Sequence, residues 1–409
     1  MARSLLKTML VAVLSWCFAG CTPPAEPIST FTEAPTLYVT ESSTQPEVDS
    51  TVEPSPTISP VPTVEELPDP QGMLIFSSQT EHENVGVSFF LLNVSCATSS
   101  EGCIGAERVL MDGSDGALNR EFSTSPDGQR IAFRSDRDRL RVSDLYLIRS
   151  DGSDLTRLTD TADISEMLPA WSPDGTSIAY IERPISESAS RIALLSLDTG
   201  ERIYLPQDHA FAWLPTWSPD GSVIAYFSHD EDTEGSWITI VDLDTMTARQ
   251  LLEDPIVFEY GVPATFSSDG SYLIFTANIE GQEDIAVLDT ETGEMLIVTN
   301  DESLNLYPTW SPDRSQIAYT CLHRDGQTGI CIKPFIPEDP LEGDVLEIPG
   351  GVPVWSPDYG PYLIVRHPVE GSDDVELFLY CLETDTLTQI TDTYFLQQDI
   401  PQWWIPVDP

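Results

Sequence analysis

The residues of this 409-residue chain that could do chemistry are few and scattered. A serine hydrolase of the α/β class needs a Gly-x-Ser-x-Gly turn, and a zinc peptidase needs a His-Glu-x-x-His pair; neither pattern occurs. No phosphate-binding glycine loop is present. The histidines, which are common metal ligands and proton carriers, lie far apart: His82, His209, His229, His323 and His367. The sequence therefore predicts no catalytic residues and no metal site.

Two acidic runs carry the carboxylates that calcium prefers, Asp136-Arg137-Asp138 and Asp230-Glu231-Asp232. Neither run continues with the ligand spacing of an EF-hand loop. Solvated hairpin tips explain both runs better than a metal site. No cofactor is expected. Calcium is the one ion whose binding the sequence leaves open.

Four cysteines form two closely spaced pairs. Cys96 and Cys103 flank a Ser- and Gly-containing loop, and Cys321 and Cys331 flank a predicted hairpin turn. In an exported protein such spacing predicts a local disulfide in each pair, with buried thiols as the alternative. Cys381 is left over in an apolar strand, where it is expected to be buried as a free thiol.

The N-terminus has the features of an export signal. Arg3 and Lys7 precede an apolar stretch, which ends in Phe18-Ala19-Gly20-Cys21. These residues resemble the lipobox of bacterial lipoproteins, although Phe18 stands where that family usually has an aliphatic residue. The resemblance implies that residues 1–20 are cleaved and that Cys21 is lipidated. An ordinary secretory signal or a short membrane anchor is the alternative, but the apolar run is short for a bilayer span.

The segment 21–71 differs sharply in composition from the rest of the chain. It is rich in Pro, Thr, Ser and Glu, and it contains no Lys or Arg. Such a segment cannot bury enough apolar surface to offset its ordering entropy, and its prolines favour an extended spacer. The sequence therefore predicts a disordered acidic stalk over 21–71, followed by one folded domain over 72–409.

An internal repeat determines the expected fold of that domain. The phrase Pro-x-Trp-Ser-Pro-Asp-Gly, followed by Ile-Ala-Tyr, recurs with its aromatic residue or equivalent at 124, 171, 217, 266, 310 and 355, in steps of 47, 46, 49, 44 and 45. The copies begin at Thr124-Ser125-Pro126-Asp127-Gly128, Pro169-Ala170-Trp171, Pro215-Thr216-Trp217, Phe266-Ser267-Ser268-Asp269-Gly270, Pro308-Thr309-Trp310 and Pro353-Val354-Trp355. A period in the forties is typical of a four-stranded propeller blade.

The chemistry of the phrase supports this interpretation. Pro presets φ for a tight turn, Asp caps the turn, and Gly accepts the positive φ that follows. The turn joins an inner strand that carries Trp to a second strand that carries Tyr, and we expect both aromatic residues to pack between blades. Further strands follow, such as Asp144–Ile148 and Trp237–Val241.

These motifs resemble the WD40-like repeat of TolB-type β-propellers, and the resemblance covers about Gly72 to Trp404. It implies an all-β propeller and, in most such proteins, a protein-docking module. The same repeat occurs in the non-catalytic half of prolyl-oligopeptidase-type enzymes, but this chain has no hydrolase domain beside it.

The two ends of the repeat region predict how the ring closes. Ile400-Pro401-Gln402-Trp403-Trp404 reads as an inner strand with no partner after it, and Met73–Phe76 and Val87–Leu92 read as strands with no inner strand before them. Pairing the two ends completes one composite blade and leaves no exposed edge. This predicts seven blades, with six as the alternative.

A binding site in such a ring is expected at a channel mouth, where the loops before the inner strands converge. Those loops supply one aromatic and four polar residues shortly before the blade Pro: Glu166, Trp213, Glu259, Asn305 and Asp399. An acidic ring with an aromatic platform suits a cationic peptide side chain or a sugar. The alternative is that these residues only solvate the entrance.

The formal net charge of −48 limits the partners. A surface this acidic repels nucleic-acid phosphate, so nucleic acid is excluded, and membrane contact is expected only through the lipid anchor. The predicted function is a monomeric, surface-anchored, non-catalytic propeller that binds a protein or glycan of the cell envelope. The alternative is a metal-dependent hydrolase or lyase with its site in the central channel.

Overall fold

The repeat folds as a ring of sheets. A computed structural model describes residues 69–78, 86–113, 116–139, 141–257, 262–369, 374–392 and 400–405. Within these residues seven four-stranded antiparallel sheets form a seven-bladed β-propeller. The prediction of seven blades is confirmed and the alternative of six is wrong, because the degenerate N-terminal sheet is a complete blade. The signal 1–20, the lipidation site Cys21 and almost all of the stalk lie outside the described residues.

The strands are numbered in chain order, and each blade is given from its inner to its outer strand. Blades 1 and 2 contain β28 (Gln402–Trp404), β1 (Met73–Ser78), β2 (Ser88–Asn93), β3 (Arg108–Met111), and then β4 (Arg120–Thr124), β5 (Arg130–Ser135), β6 (Asp144–Arg149) and β7 (Thr156–Arg157). Blades 3 and 4 contain β8 (Ile164–Trp171), β9 (Ser177–Pro184), β10 (Arg191–Ser196), β11 (Arg202–Tyr204), and then β12 (Phe211–Trp217), β13 (Val223–His229), β14 (Trp237–Asp242) and β15 (Thr247–Gln250).

The second half of the ring repeats this order. Blades 5 and 6 contain β16 (Thr265–Phe266), β17 (Tyr272–Ile279), β18 (Gln282–Asp289), β19 (Met295–Ile297), and then β20 (Leu304–Trp310), β21 (Gln316–Leu322), β22 (Thr328–Pro334) and β23 (Leu346–Pro349). Blade 7 contains β24 (Gly351–Trp355), β25 (Tyr362–Pro368), β26 (Val375–Cys381) and β27 (Thr386–Gln389). A short 3-10 helix, Val94–Thr98, follows β2.

The ring closes as the sequence predicts. The C-terminal β28 pairs with β1 in antiparallel register, with Met73 opposite Trp404. Gln402 fixes the closed blade to blade 2, because its side-chain amide donates to the carbonyl of Phe122 at 2.8 Å and accepts from the backbone N–H of Thr124 at 3.0 Å. The last strand therefore joins both its own sheet and the next blade.

The Ser-Pro-Asp-Gly turns have the predicted chemistry. In blade 3 the Asp174 carboxylate accepts from the Ser172 hydroxyl at 2.6 Å and the Thr176 N–H at 3.0 Å, and Gly175 has φ 70°. In blades 6 and 7 the glycine position is held by Arg314 and Tyr359, which keep φ at 63° and 61°. The turn geometry is thus retained at a cost in backbone strain, since side chains disfavour this region.

In blades 3, 4 and 6 the blade Trp links its blade to the one before it, whereas the indole N–H of Trp355 in blade 7 has no partner among the described residues. The indole N–H of Trp171 donates to the carbonyl of Ser123 at 3.0 Å, and Trp217 and Trp310 do the same to Ala170 and Thr265 at 3.1 Å. Phe266 stands at the equivalent place in blade 5 and has no N–H to donate. A cavity of about 450 Å³ lies beside it, between blades 4 and 5.

The cysteine predictions are confirmed. Cys96 is joined to Cys103 and Cys321 to Cys331, and Cys381 is a buried free thiol. The first disulfide spans the region after β2, and the second joins β21 to β22. Both are local clamps, as expected for pairs so close in sequence.

Within the described part of the chain, no helix is long and apolar enough to span a bilayer.

Candidate binding site on blade 4

The structure places the predicted channel-mouth residues in different surroundings. Glu166 and Asn305 are fully buried, whereas Trp213 is half-buried in blade 4. Glu259 and Asp399 lie outside the described residues. The proposed ring of these five residues therefore stays a prediction, and the described members occupy three separate blade junctions.

Asn305 and Glu166 are equivalent, since each lies five residues before its blade Trp. The Asn305 amide donates to the Asp284 carboxylate at 3.3 Å, so this buried carboxylate has an uncharged hydrogen-bond donor beside it. Glu166 has a carboxyl group there instead: one oxygen accepts from the Thr161 hydroxyl and the other, Oε2, has no hydrogen-bond partner in the described structure. Burial, together with the nearby Asp144 carboxylate, raises the pKa of Glu166 to about 7.

The neighbouring buried carboxylates are paired with arginines. Asp144 accepts from Arg157 at 2.7 Å. Glu182 accepts from Arg191 at 2.8 Å and Arg202 at 2.7 Å. These acids therefore stabilise the junctions beside Glu166, and their charges are neutralised locally.

The central channel contains a cavity of about 340 Å³ that several inner strands line. Its lining residues include Tyr307, Val352 and Gln402, and none is a carboxylate, a histidine or a cysteine. Tyr307 and Val352 have φ values of 54° and 51°, at bulges three residues before their blade Trp. Among the described residues, the Tyr307 hydroxyl is therefore the one titratable side-chain group in the wall of this cavity.

Trp213 belongs to one of two ring stacks in blade 4, and we call the five rings of both stacks the blade 4 cluster: His209, Phe211, Trp213, His229 and Trp237. His229 stacks on Phe211 with ring centroids 4.7 Å apart and on Trp213 with centroids 4.8 Å apart. His209 stacks on Trp237, with centroids 4.2 Å apart and planes 6° apart. All five side chains are half-buried.

The sheet register of blade 4 places the two stacks on opposite faces of the sheet, because Ser228 and His229 are successive residues of β13. Phe211 lies opposite His229 in the β12–β13 pair, and Ser228 lies opposite Trp237 in the β13–β14 pair. Asp230 then fixes His209: its carboxylate lies 3.0 Å from Nδ1 of that ring and accepts from the Ala210 N–H at 2.9 Å. The cluster is thus held by three strands and by the loop before β12.

The electrostatics of the cluster favour a positively charged ligand. Burial lowers the pKa of His229, so its ring is neutral at neutral pH. The N–H of Ala210 lowers the pKa of Asp230, which therefore stays ionised. Four exposed acidic residues, which together with Asp230 we call the acidic rim, lie in the adjoining loops: Asp208, Glu231, Asp232 and Glu234.

Three ring nitrogens in the cluster have unused hydrogen-bonding capacity. Nε2 of His209, Nδ1 of His229 and Nε1 of Trp237 are buried and have no hydrogen-bond partner in the described part of the chain. Buried polar atoms are nearly always satisfied, so such atoms point to a partner outside the described residues. Water or a bound polar group would serve.

The sequence predicted Trp213 but not the other four rings. Regular antiparallel pairing from the Ser218–Gly221 turn would put residue 211 opposite residue 230, and the bulge between Trp213 and Thr216 shifts it opposite His229. His209 and Trp237 are harder to predict, because their stacking depends on the Asp230 contact and on the third strand.

Comparisons with known proteins agree with the fold. The family model described as PD40, TolB beta propeller domain, matches residues 106–253 and 186–338. A comparison of the sequence with curated proteins gave no significant match.

Among solved structures, a puromycin-hydrolysing peptidase of Mycobacterium tuberculosis is 12% identical, with a TM-score of 0.60 over 81% of this chain and 54% of that chain. An oligogalacturonate lyase from Vibrio parahaemolyticus is 13% identical, with a TM-score of 0.54 over 81% and 90%. TolB from Acinetobacter baumannii is 18% identical, with a TM-score of 0.46 over 81% and 82%. At these identities the likenesses show the fold alone. Because the family model matches more than half of the sequence, this chain belongs to the TolB β-propeller domain family.

Proposed function

We propose that this protein is a non-catalytic, lipid-anchored binding protein of the bacterial cell envelope, and that the blade 4 cluster docks a basic segment of a protein partner. The observation that carries this proposal is the combination of two stacks of aromatic rings at one end of blade 4 with the acidic rim in the adjoining loops. The N-terminal lipobox-like sequence and the Pro-rich stalk support the envelope location.

The aromatic rings supply the short-range part of the recognition. A guanidinium or ammonium group over an indole face gains about 0.5–2 kcal/mol, depending on how far it is desolvated. The neutral state of His229 matters here, since an imidazolium would repel the same cation. The rings that form the cluster are rigid, so little side-chain entropy is lost on binding.

The acidic rim supplies the long-range part. Complementary charge speeds association and selects against like-charged partners, and a chain with net charge −48 attracts basic segments from all directions. A neutral glycan would use the same rings without needing the acids. The ionic-strength dependence of binding therefore distinguishes the two classes of partner.

The test is a calorimetric titration of the full-length chain with a hexa-arginine peptide and, separately, with a neutral hexasaccharide. We expect the peptide to bind and its affinity to fall when salt is raised. The W213A variant should weaken binding about tenfold or more, as truncation of an aromatic anchor commonly does. Binding of the hexasaccharide alone, unaffected by salt, would instead assign the cluster to a glycan.

Two variants control for folding and for unspecific charge. Tyr359 is 70% exposed at a turn of blade 7, so Y359A removes an exposed aromatic ring outside the cluster and should leave binding unchanged. The triple variant E231Q/D232N/E234Q alters only exposed side chains of the acidic rim. It should weaken peptide binding and reduce its salt dependence; unchanged binding would contradict the proposal.

A further inference from the structure

Three side chains near the Cys321–Cys331 disulfide have the chemistry of a metal site. One potential ligand atom each from Cys321, His323 and Glu347 lies within 4.8 Å of the other two. It is the one such group among the described residues of the chain. Thiolate, imidazole and carboxylate are the ligand types that zinc accepts. This group lies in blade 6 and is separate from the blade 4 cluster.

The blade 6 sheet brings these side chains together across three strands. Cys321 is near the end of β21, and His323 follows two residues later. Glu347 lies on β23, opposite Cys331 of β22. Gly329 provides the space between them, because a Cβ atom there would lie 2.6 Å from Oε1 of Glu347.

His323 is already oriented for a ligand. Its Nδ1 lies 3.0 Å from the hydroxyl of Ser303, and its Nε2 lies 2.9 Å from Oε1 of Glu347. A histidine that binds metal through one nitrogen usually bonds through the other to a protein group, which fixes the ring and its tautomer. In the metal-free chain Nε2 donates its N–H to the Glu347 carboxylate, and Nδ1 accepts from the Ser303 hydroxyl. When the proton moves to Nδ1, the Nε2 lone pair becomes free for a metal between Glu347 and Cys321.

In the oxidised protein the sulfur of Cys321 is bonded to Cys331 and is not a thiolate ligand. Reduction changes this. A dithiol reductant transfers two electrons and two protons to the disulfide and leaves as its own disulfide, which produces thiols at both cysteines. Cys331 is not one of the three grouped residues, but its sulfur is bonded to that of Cys321. Reduction frees this sulfur beside the group, where a turn of the Cys331 side chain supplies a fourth ligand.

We propose that reduction of this disulfide creates a tetrahedral site for a divalent metal of the zinc class, held by Cys321, Cys331, His323 and Glu347. Metal binding displaces the two thiol protons to solvent, and the Nε2 proton of His323 is exchanged through solvent for one on Nδ1, which then donates to the Ser303 hydroxyl. The disulfide and the metal site are alternative states of the same two sulfur atoms. Oxidation then releases the metal, and the bound metal protects the thiols from oxidation.

Cobalt(II) is a direct probe, because thiolate ligation in a tetrahedral site gives a charge-transfer band and visible d–d bands. The full-length chain is titrated with Co²⁺ before and after reduction by a non-coordinating phosphine. We expect one Co²⁺ per reduced chain with both spectral features, at least a hundredfold tighter than in the oxidised chain. Absence of the charge-transfer band after reduction would overturn the proposal.

Matched variants identify the ligands. C96S/C103S removes the other disulfide pair and should leave the cobalt spectrum unchanged. H323Q alters a partly exposed side chain and should abolish the tetrahedral bands, and S303A should lower affinity about 10–100-fold, as loss of a supporting hydrogen bond does. If H323Q, shown to be folded by circular dichroism, gives the wild-type cobalt spectrum, the assignment is refuted. If C96S/C103S loses the cobalt bands, the metal binds at the other cysteine pair instead.

Discussion

The carboxyl group of Glu166 provides the sharpest test of the junction chemistry. It is fully buried, and it stands where Asn119 and Asn305 place amides in the equivalent junctions. Substitution E166Q gives this junction the amide that the other two have. The Gln oxygen can accept from the Thr161 hydroxyl, as the carboxylate does, and the amide nitrogen replaces the unpartnered Oε2.

The magnitude follows from the pKa of Glu166, which burial raises from 4.5 to about 7. Because the folded state binds the proton more tightly than the unfolded state, stability falls as pH rises through this window and stays lower above it. At about 1.36 kcal/mol for each pKa unit, the deficit of the wild-type protein above neutral pH is about 3 kcal/mol. E166Q lacks this deficit.

Urea denaturation of the wild-type protein and E166Q at pH 5 and at pH 8 measures the difference. We expect similar free energies of unfolding at pH 5 and a gain of up to about 3 kcal/mol for E166Q at pH 8. The matched reverse change, N305D, places a second carboxylate against Asp284, whose pKa burial already raises, and should lose stability at pH 8. A loss of stability in E166Q at pH 8 would refute the reasoning, because the carboxylate would then be ionised and stabilised by a partner.

Two further predictions concern the repeat itself. F266W should fill part of the cavity between blades 4 and 5 and donate a hydrogen bond to the preceding blade as Trp217 does, so we expect the free energy of unfolding to rise by about 1–2 kcal/mol. The matched variant W217F should lower the free energy of unfolding. A destabilised F266W would show that the cavity cannot take an indole. Y359G should relieve the left-handed strain at φ 61° and raise stability by about 0.5–1 kcal/mol in the same denaturation assay, after allowance for the greater freedom of glycine when unfolded. A lower denaturation midpoint for Y359G would mean that Tyr359 makes a stabilising contact.

The fold was predictable because one phrase carries turn, strand and core information together. Pro and Asp determine the turn, and the Trp and Tyr on either side then have one packing arrangement, between blades. The ring closure also followed from the sequence, since an unpaired inner strand at one end and a sheet without an inner strand at the other complete each other. The short sequence spacing within each cysteine pair was likewise sufficient to predict both disulfides.

The inner-strand bulges could not be read from the sequence. Five residues have positive φ and lie three positions before the aromatic residue of their blade, or before its equivalent Thr124: Glu121, Leu168, Leu214, Tyr307 and Val352. None is a residue type that favours this region, and Val is among the least suited. The surrounding sheets impose the conformation, which is a tertiary effect without a local signal.

Burial also separated residues that looked alike in the sequence. Glu166, Asn305 and Trp213 all precede a blade Pro, yet two of them complete buried junctions and the third joins an aromatic cluster. Their roles depend on Thr161 in the loop before β8 and on Asp284 and His229 on other strands. The expectation that all three residues lie in loops before the inner strands was wrong, since they are on β8, β20 and β12, where strand pairing decides which side chains are buried.

The central claim is that the blade 4 cluster is where a basic segment binds, and hydrogen exchange measured with and without the hexa-arginine peptide tests this location directly. We expect hydrogen exchange to slow in the segments 208–213 and 229–237, and exchange in the other blades to stay unchanged. Protection at the Ser-Pro-Asp-Gly turns instead, or none at saturating peptide, would contradict it.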